Sequence, residues 1–338
     1  MQRALERAAG ARGLAEPNPL VGCVLLRGAG VIGEGHHERF GAAHAEVNAL
    51  ADARARGHDP AGCTAVVTLE PCAHTGKTPP CADALVAAGV GRVVAAMTDP
   101  DPRVSGRGFA RLRDAGIDVA VGLEEAAARE LNAPFLKRLA TGLPFVTLKW
   151  AQTLDGSTAT KSGHSQWISG PGSRQRVHRL RAVSDVVMVG AGTFIADAPR
   201  LTARDVPVRR VAKRVLVSGR NRIPGDAPIF SDGAGPVEVM TGPLGDGLRR
   251  LAADGATNVL VEGGARLNGS LLNAGLADRV LVFLAPSLCG DPDALPAAVL
   301  GPCATMGDVK KLRLRGVERV GDDVMLDYAV IHSASPSA

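Results

Sequence analysis

The sequence predicts two consecutive α/β domains with mostly parallel sheets, on three observations. The chain has 338 residues, which exceeds one average domain and allows two cores. Short apolar runs alternate with helical patterns on both sides of a break at Gly142 and Pro144. The composition is that of a globular protein, with 46% hydrophobic and 22% charged residues. We therefore expect one domain over residues 1–143 and a second over residues 144–333, followed by a tail at 334–338.

Residues 1–143 show alternation after an initial helix and a pair of strands. Ala4, Leu5, Ala8 and Ala9 recur at helical spacing and predict the first helix. The elements expected after it are strands at 21–26 and 31–35, a helix at 44–55, a strand at 66–69, a helix at 80–88, a strand at 92–96, a helix at 108–115, a strand at 118–121 and a long helix at 124–140.

The rhythm restarts after the break. The predicted elements are a strand at 146–150, a helix at 173–182, strands at 186–190, 214–217 and 237–240, a helix at 244–253, a strand at 258–261, a helix at 267–274, a strand at 279–284 and a closing hairpin of 312–320 with 324–331. Strands separated by helices predict parallel pairing in this domain as well.

Charge and aromatic content restrict the class of partner. Lysine and arginine number 39 against 34 acidic residues, and they are spread along the chain. Only 3% of the residues are aromatic, which disfavours a surface that stacks nucleic-acid bases. A modest basic excess suits a phosphorylated small molecule. The sequence shows neither a signal peptide nor a long apolar run, so we expect a cytoplasmic protein without membrane association.

Six cysteines in a chain of this length do not predict a disulfide framework. We interpret Cys23, Cys63, Cys289 and Cys303 as small buried hydrophobic residues. The other two belong to a metal-binding pattern.

That pattern joins one histidine, two cysteines and a glutamate. His44 and Glu46 begin a predicted helix, whereas Cys72 and Cys81 lie on a later segment. Imidazole and thiolates are typical zinc ligands, and three protein ligands leave zinc an open position for water. Zinc lowers the pKa of that water to about 7, and a nearby glutamate that is not a ligand carries protons. We predict zinc bound by His44, Cys72 and Cys81, with Glu46 as the catalytic acid and base of a hydrolytic deaminase.

A structural zinc site is the alternative interpretation of this pattern. A closed site needs four protein ligands, and His74 is the candidate for the fourth. We favour the open site because Glu46 and the prolines beside the cysteines suit a catalytic arrangement. His36, His37 and His58 are interpreted as solvated loop residues.

Four segments of the second half together indicate a binding site: 149–156, 165–169, 186–204 and 261–265. In the first and the last of these segments, a predicted strand ends at a turn that contains glycine. Open α/β sheets commonly bind ligands at such positions. The two glycines in the last segment allow backbone N–H groups to approach an anion. Gly190 and Gly192 do not begin a dinucleotide-binding fingerprint, because Ile195 stands where glycine or alanine is needed. Taken singly, each segment is more often structural than functional.

Motifs in both halves resemble one known family. Those of the first half are PNPLVG at 17–22, HAEVNAL at 44–50, TLEPC at 68–72 and TGKTPPC at 75–81. Those of the second are LK at 148–149, LDG at 154–156, SQWI at 165–168, DxPxLTxR at 197–204 and EGG at 262–264. Together they resemble the bifunctional riboflavin-biosynthesis deaminase/reductase over nearly the whole chain. Eight residues separate the two cysteines, whereas the generic deaminase signature has two.

For the first half, the resemblance implies a zinc-dependent pyrimidine deaminase with a cytidine-deaminase-like, three-layer α/β fold. The implied reaction is the hydrolytic deamination of 2,5-diamino-6-(5-phosphoribosylamino)pyrimidin-4-one. Asn18 is implied to hold the pyrimidine. His74 and Lys77 are implied to contact the substrate, with Lys77 near the phosphate.

For the second half, the resemblance implies an NADPH-dependent reductase with a fold similar to dihydrofolate reductase, which converts the ribosyl side chain to ribityl. The implied cofactor-binding residues are Ala151, Trp167, Thr193, Asp197, Gly264, Ala265 and Arg266. The implied substrate-binding residues are Ser165, Arg181, Leu201, Arg204 and Glu262. We place Lys149 and Asp197 near the transferred hydride as catalytic polar groups. Ser218 and Gly219 depart from the Asp-Ser pair that the family often has after a strand, which puts cofactor contacts from that loop in question.

Two other classes of function compete with this interpretation. A nucleic-acid-editing deaminase needs a basic stripe with aromatic residues near zinc, but the chain has a single tyrosine, Tyr328. A nucleotide-sensing binding protein would not catalyse proton transfer, so the presence of Glu46 argues against this alternative. We therefore expect a bifunctional zinc hydrolase and NADPH-dependent oxidoreductase. The resemblance also suggests a homo-oligomer, a dimer or larger, assembled through the second domain.

Overall fold

The computed structural model describes residues 1–73, 80–102, 104–219 and 222–332. The chain divides into two units, Met1–Thr141 (unit 1) and Gly142–Ala338 (unit 2). Gly142 stands at the division with a φ of 66°, a conformation that favours glycine. His74, Lys77 and the predicted tail at 334–338 lie outside the described residues. None of the helices in the described part of the chain combines the length and hydrophobicity needed to cross a bilayer.

Unit 1 alternates strands and helices around one sheet. Its elements are α1 (Gln2–Ala9), β1 (Gly22–Arg27), β2 (Gly30–His36), α2 (Ala45–Ala55), β3 (Thr64–Val67), α3 (Cys81–Ala87), β4 (Arg92–Ala95), α4 (Arg107–Asp114), β5 (Asp118–Val121), α5 (Glu125–Leu131) and α6 (Ala133–Thr141). The sheet order is β2-β1-β3-β4-β5. Strands β3, β4 and β5 are parallel, whereas β1 is antiparallel to both of its neighbours.

Helix α2 packs closely on β2 because two glycines of that strand lack side chains. A Cβ on Gly33 would lie 2.5 Å from the carbonyl oxygen of Ala49, and one on Gly35 would lie 2.5 Å from its amide nitrogen. Real Cβ atoms do not approach backbone this closely, so larger residues would push the helix away. The glycines therefore fix the height of α2 above the sheet, and with it the position of His44 at the start of the helix.

Unit 2 is built on a larger sheet. Its elements are β6 (Phe145–Gln152), β7 (Ser157–Ala159), α7 (Pro171–Arg181), β8 (Val186–Gly190), α8 (Ala191–Asp197), β9 (Lys213–Val217), β10 (Val237–Met240), α9 (Leu244–Ala253), β11 (Asn258–Val261), α10 (Ala265–Asn273), β12 (Arg279–Leu284), β13 (Leu295–Pro296), β14 (Leu312–Val320) and β15 (Asp323–Val330). The eight-stranded sheet has the order β10-β9-β8-β11-β6-β12-β15-β14. The strands from β10 to β12 are parallel, and the β14–β15 hairpin closes one edge antiparallel. The predicted α/β architecture is thus confirmed. The sheet of unit 2 is mostly parallel as predicted, whereas that of unit 1 is mixed, with two parallel and two antiparallel pairings.

Three sequence-based interpretations are wrong in detail. The long helix predicted at 124–140 is interrupted at Asn132, whose side chain binds both the amide (2.7 Å) and the carbonyl (2.9 Å) of Leu20. No helix was predicted between residues 190 and 214, but α8 occupies Ala191–Asp197. Of the four cysteines interpreted as buried, Cys289 is half-buried and Cys303 is exposed, because both lie in the irregular segment between β12 and β14.

Candidate active sites

Unit 1 brings three potential metal ligands together at the starts of two helices. His44 caps α2 in an extended conformation, and Cys81 is the first residue of α3. The Nδ1 atom of His44 lies 3.2 Å from Sγ of Cys81 and 3.6 Å from Sγ of Cys72. The three ligand atoms all lie within 4.8 Å of one another. Tetrahedral zinc with bonds of about 2.0–2.3 Å requires donors about 3.5 Å apart, so this donor set fits zinc.

The two thiols share their protons unequally. A hydrogen bond from Cys81 and, to a smaller extent, the His44 ring together lower the pKa of the Cys72 thiol to about 4. The same hydrogen bond, together with burial, raises the pKa of Cys81. A hydrogen bond with Cys72 also raises the pKa of His44. The protein groups alone therefore favour one thiolate of the two, and a divalent cation would supply the charge that the second requires.

Glu46 stands beside this cluster but is not a member of it. It is the second residue of α2, and only 3% of its surface is exposed to solvent. Burial raises the pKa of its carboxyl group to about 7. A carboxyl group that titrates near neutral pH can both take and return a proton under working conditions, as a general acid and base must.

His37 is a site residue that the sequence analysis misinterpreted, because it is buried rather than solvated. Its ring meets that of His44 edge-on, with centroids 5.4 Å apart. Its Nδ1 lies 3.1 Å from the carbonyl oxygen of Ala43, and its Nε2 lies 3.1 Å from Nδ2 of Asn18. A carbonyl can only accept, so Nδ1 carries the proton and Nε2 accepts from the Asn18 amide. This arrangement turns the amide oxygen of Asn18 toward other donors. The available sequence signal was the position of His37 directly after β2.

The candidate site of unit 2 centres on a buried acid between two bases. Val261 pairs with Leu148 across β11 and β6, so Glu262 and Lys149 follow side by side at the carboxyl end of the parallel sheet. The guanidinium of Arg181 donates to both Glu262 oxygens, at 2.5 and 2.9 Å. The ammonium of Lys149 lies 3.6 Å from Oε2.

In this group of three, two basic side chains surround a single acid. Burial acts to raise the pKa of Glu262, but the Arg181 and Lys149 charges outweigh it and bring the pKa to about 2. Burial also lowers the pKa of Lys149, although Glu262 opposes that effect. Glu262 is therefore an ionised acceptor near neutral pH. Much of the hydrogen-bonding capacity of Arg181 is used within the protein, since its third donor binds the carbonyl of Thr202 at 3.0 Å.

Arg181 also lines a cavity of about 360 Å³ that is rich in arginine. Three residues predicted to bind substrate, Arg181, Leu201 and Arg204, lie in its wall. Arginines that the sequence analysis did not single out complete it: Arg200, Arg210 and Arg214. Arg210 and Arg214 form ion pairs with Asp185 and Asp232, whereas no described acid forms an ion pair with Arg200 or Arg204. The guanidinium groups of Arg200 and Arg204 would therefore favour a phosphate or carboxylate in this cavity.

The other predicted residues of unit 2 form smaller contacts. The Ser165 hydroxyl donates to Asp197 at 3.4 Å, and burial raises the pKa of Asp197. Trp167 is 71% exposed, and the guanidinium carbon of Arg174 lies 4.8 Å from the centroid of the Trp167 ring. Among the described residues, no hydrogen bond or ion pair joins Asp197 to Lys149, so these two predicted catalytic groups belong to separate networks.

Gly264 caps α10, and Ala265 and Arg266 are the first residues of that helix. A Cβ on Gly264 would lie 2.7 Å from the Thr193 hydroxyl. The missing side chain leaves a shallow cradle where backbone N–H groups at the helix start meet that hydroxyl, and this suits an anionic cofactor group. Ala151 lies on β6, opposite Phe283 of β12.

Comparison with known proteins gives matches over both units. Residues 1–97 match the family described as cytidine and deoxycytidylate deaminase zinc-binding region, and residues 144–326 match the RibD C-terminal domain. The riboflavin biosynthesis protein RibD of Escherichia coli strain K12 is 40% identical, over 96% of this chain and 97% of its own length. That of Aquifex aeolicus is 38% identical, over 97% of both chains.

Solved structures give the same result. Acinetobacter baumannii RibD superposes with a TM-score of 0.88 at 38% identity, over 98% of both chains. A diaminohydroxyphosphoribosylaminopyrimidine deaminase/5-amino-6-(5-phosphoribosylamino)uracil reductase from Thermotoga maritima gives a TM-score of 0.89 at 34% identity, over 98% of this chain and 97% of that one. The predicted fold class, a cytidine-deaminase-like domain followed by a reductase domain similar to dihydrofolate reductase, is confirmed.

Proposed function

Because the chain belongs to the RibD family of riboflavin biosynthesis proteins, which joins a zinc-binding deaminase to a reductase, we propose that it performs two successive reactions on one intermediate. Unit 1 hydrolyses the 2-amino group of 2,5-diamino-6-(5-phosphoribosylamino)pyrimidin-4-one. Unit 2 then reduces the ribosyl side chain of the product to ribityl with NADPH. The single observation that supports this most directly is the zinc-compatible cluster with a buried acid of raised pKa beside it.

In unit 1, His44, Cys72 and Cys81 would hold zinc, and Glu46 would transfer protons. When bound, zinc acts as a Lewis acid and provides a nucleophilic water at neutral pH. Glu46 takes a proton from the attacking water and returns it to the departing amine, since its pKa of about 7 allows both transfers. Asn18 holds the pyrimidine through the amide oxygen that its hydrogen bond with His37 orients. His74 and Lys77 stay predictions for substrate contacts.

In unit 2, NADPH would lie beside Ala151 and Trp167. The residues that would hold it are Thr193, Asp197, Gly264, Ala265 and Arg266. When bound, NADPH supplies a hydride to the sugar carbon. Arg204 with its neighbouring arginines binds the substrate phosphate in the cavity, whereas Arg181 acts mainly by fixing Glu262. Ser165 and Leu201 complete the substrate contacts.

Lys149 and Asp197 are the two polar groups proposed near the hydride. Lys149 is held by Glu262 and Asp197 by Ser165, so both have defined positions. The homo-oligomeric state and the cytoplasmic location expected from the sequence stay predictions.

The test uses the full chain with the diamino substrate, following ammonia release and NADPH oxidation separately. The wild-type protein should release ammonia first and oxidise NADPH afterwards. The Glu46→Gln variant should keep zinc and lose about 10²–10⁴-fold in ammonia release, the range expected for a general acid and base. It should still oxidise NADPH when given the deaminated intermediate. NADPH oxidation by this variant with the undeaminated compound at the full rate would contradict the order of steps.

A further inference from the structure

Glu70 is a buried carboxylate that binds main-chain amides. It is 3% exposed, and it directly precedes Pro71 and Cys72. One oxygen accepts the amides of Gly108 (2.9 Å) and Phe109 (3.4 Å) in the first turn of α4. The other accepts those of Asp99 (3.1 Å) and Gly106 (3.0 Å). Within the described parts of the chain, no lysine or arginine forms an ion pair with it. Its charge is therefore balanced by N–H dipoles, including those at the start of a helix.

The two residues after Glu70 are held from two sides. A Cβ on Gly108 would lie only 1.9 Å from the carbonyl oxygen of Pro71, so α4 touches the main chain there without an intervening side chain. On the other side, the Cys72 carbonyl accepts the amide of Ala82 (3.1 Å), and the Cys81 amide donates to Sγ of Cys72 (3.3 Å). Cys72 thus lies between α4 and α3, and three of the four hydrogen bonds of the Glu70 carboxylate go to the first turn of α4 and its N-cap residue Gly106.

The position of Cys72 matters because it is the proposed metal ligand that does not stand at a helix start. His44 and Cys81 take their geometry from α2 and α3, whereas Cys72 lies on an extended segment. Such a segment needs contacts outside itself to hold a sulfur within a few tenths of an ångström of its place.

We propose that Glu70 is a positioning residue for zinc: by anchoring the Glu70–Cys72 segment to the start of α4, it holds the Cys72 thiolate in ligand geometry and controls how tightly the metal is retained. The inference rests on the proposed zinc site. Glu70 is not in the ligand cluster, so its role differs from that of Glu46, which moves protons.

The experiment compares Glu70→Gln with Glu46→Gln in the full chain. Glutamine keeps the shape of the side chain, but it replaces one of the two accepting oxygens with an NH₂ group. That NH₂ group would face N–H donors, so the side chain would lose about half of its capacity to accept hydrogen bonds. Zinc affinity, measured by competition with a chromogenic chelator, should fall about 10–100-fold in Glu70→Gln. Loss of a residue that orients a metal ligand without binding the metal typically has an effect of this size. Its kcat for ammonia release at saturating zinc should be unchanged. Glu46→Gln should show the reverse, with normal zinc affinity and a low kcat.

A second variant approaches the same contact from the other side. Gly108→Ala should also weaken zinc binding, because its methyl group must displace Pro71. Alanine favours helix over glycine, so this loss would not come from a weakened α4. Glu125→Gln, which removes an exposed pair with Arg129, is the matched control and should keep zinc normally. Amide hydrogen exchange in β3 and β4 reports whether unit 1 folds in each variant.

The proposal is wrong if both Glu70→Gln and Gly108→Ala hold zinc as tightly as the wild type, or if Glu70→Gln loses kcat at full zinc occupancy. Absence of zinc binding in the wild-type protein is a separate result that would overturn the proposed function together with this inference.

Discussion

The two candidate sites differ in the origin of the charge that balances them. In unit 1, two sulfur ligands and a carboxyl group crowd together, and the pKa values of Cys81 and Glu46 are raised. In unit 2, one carboxylate has two basic partners from the same chain, and the pKa of Glu262 falls to about 2. An added cation would complete the first site, whereas the second has its counter-charges built in. Loss of metal should therefore disable the first site, and loss of an internal partner should disable the second.

The largest expected effect is the loss of deamination when a metal ligand is removed. In the Cys72→Ser variant, a hydroxyl replaces the thiolate whose pKa is about 4, so the site loses a ligand that is ionised at neutral pH. Ammonia release should fall by more than the factor of about 100 that loss of an outer partner costs. NADPH oxidation with the deaminated substrate should persist. Zinc content and the two activities are measured on the same preparation.

Cys303→Ser is the matched control for this change, since Cys303 is exposed and belongs to unit 2. It should leave zinc content and both activities unaltered. A Cys72→Ser protein that kept stoichiometric zinc and full ammonia release would contradict the assignment of Cys72 as a ligand.

Removing the central acid of unit 2 should have the next largest effect, this time on stability. Glu262→Gln leaves Arg181 and Lys149 facing each other, with side chains only 12% and 16% exposed. Breaking a buried ion pair in this way should cost about 3 kcal/mol in the free energy of unfolding. Both tryptophans of the chain, Trp150 and Trp167, lie in unit 2, so urea titration followed by tryptophan fluorescence reports this unit.

An exposed acid in the same unit provides the control. Glu318→Gln removes an ion pair with Arg176 in which the side chains are 50% and 38% exposed. Its cost should be at most about 1 kcal/mol. Equal unfolding midpoints for the two variants would show that burial does not strengthen the Glu262 network.

The same network predicts a pH dependence of unit 2. The pKa of Glu262 is about 2 in the folded protein against an ordinary 4.5, so the ionised form stabilises the fold above pH 4.5. This stabilisation, about 3 kcal/mol at full strength, should disappear as the pH falls from 4.5 toward 2. Glu262→Gln should flatten the fluorescence-monitored stability curve in this window. Asp155 and Asp232, whose pKa values are also about 2, should leave a residual slope of the same sign.

The contrast between the sites also explains what the sequence could predict. Two of the three candidate ligands of unit 1, His44 and Cys81, stand at helix starts, and hydrophobic periodicity located those helices within a residue or two. The strands at Asp118–Val121, Val186–Gly190 and Asn258–Val261 were predicted with their observed bounds. The last two contain the continuous apolar runs that mark buried parallel strands, whereas the first lies at the edge of its sheet and buries none of its residues.

Contacts between distant parts of the sequence could not be predicted in this way. The pairing of Glu262 with Arg181 spans 81 residues, and no local pattern encodes it. The break between α5 and α6 did have a local signal, because Pro134 lacks an amide hydrogen and cannot continue a helix. The contact of Asn132 with Leu20, 112 residues away, had none. His37 was misinterpreted for the same reason, since its burial depends on how Asn18 and Ala43 pack around it.

The smallest expected effect concerns an acid of unit 1 whose partners face solvent. Glu34 on β2 binds Arg3 and Arg7 of α1, and Arg56 lies 3.7 Å away. The hydrogen bond from Arg3 and the charges nearby lower the pKa of Glu34 to about 2, as with Glu262, but the three arginines are 42–53% exposed. Solvent and salt therefore weaken these pairs. Glu34→Gln should cost at most about 1 kcal/mol, measured by amide hydrogen exchange in α1, and 1 M salt should erase most of that difference because it shortens the screening length to about 3 Å. The Glu262→Gln effect should persist at that salt concentration, and equal salt sensitivity of the two variants would contradict the contrast between a solvated and a buried network.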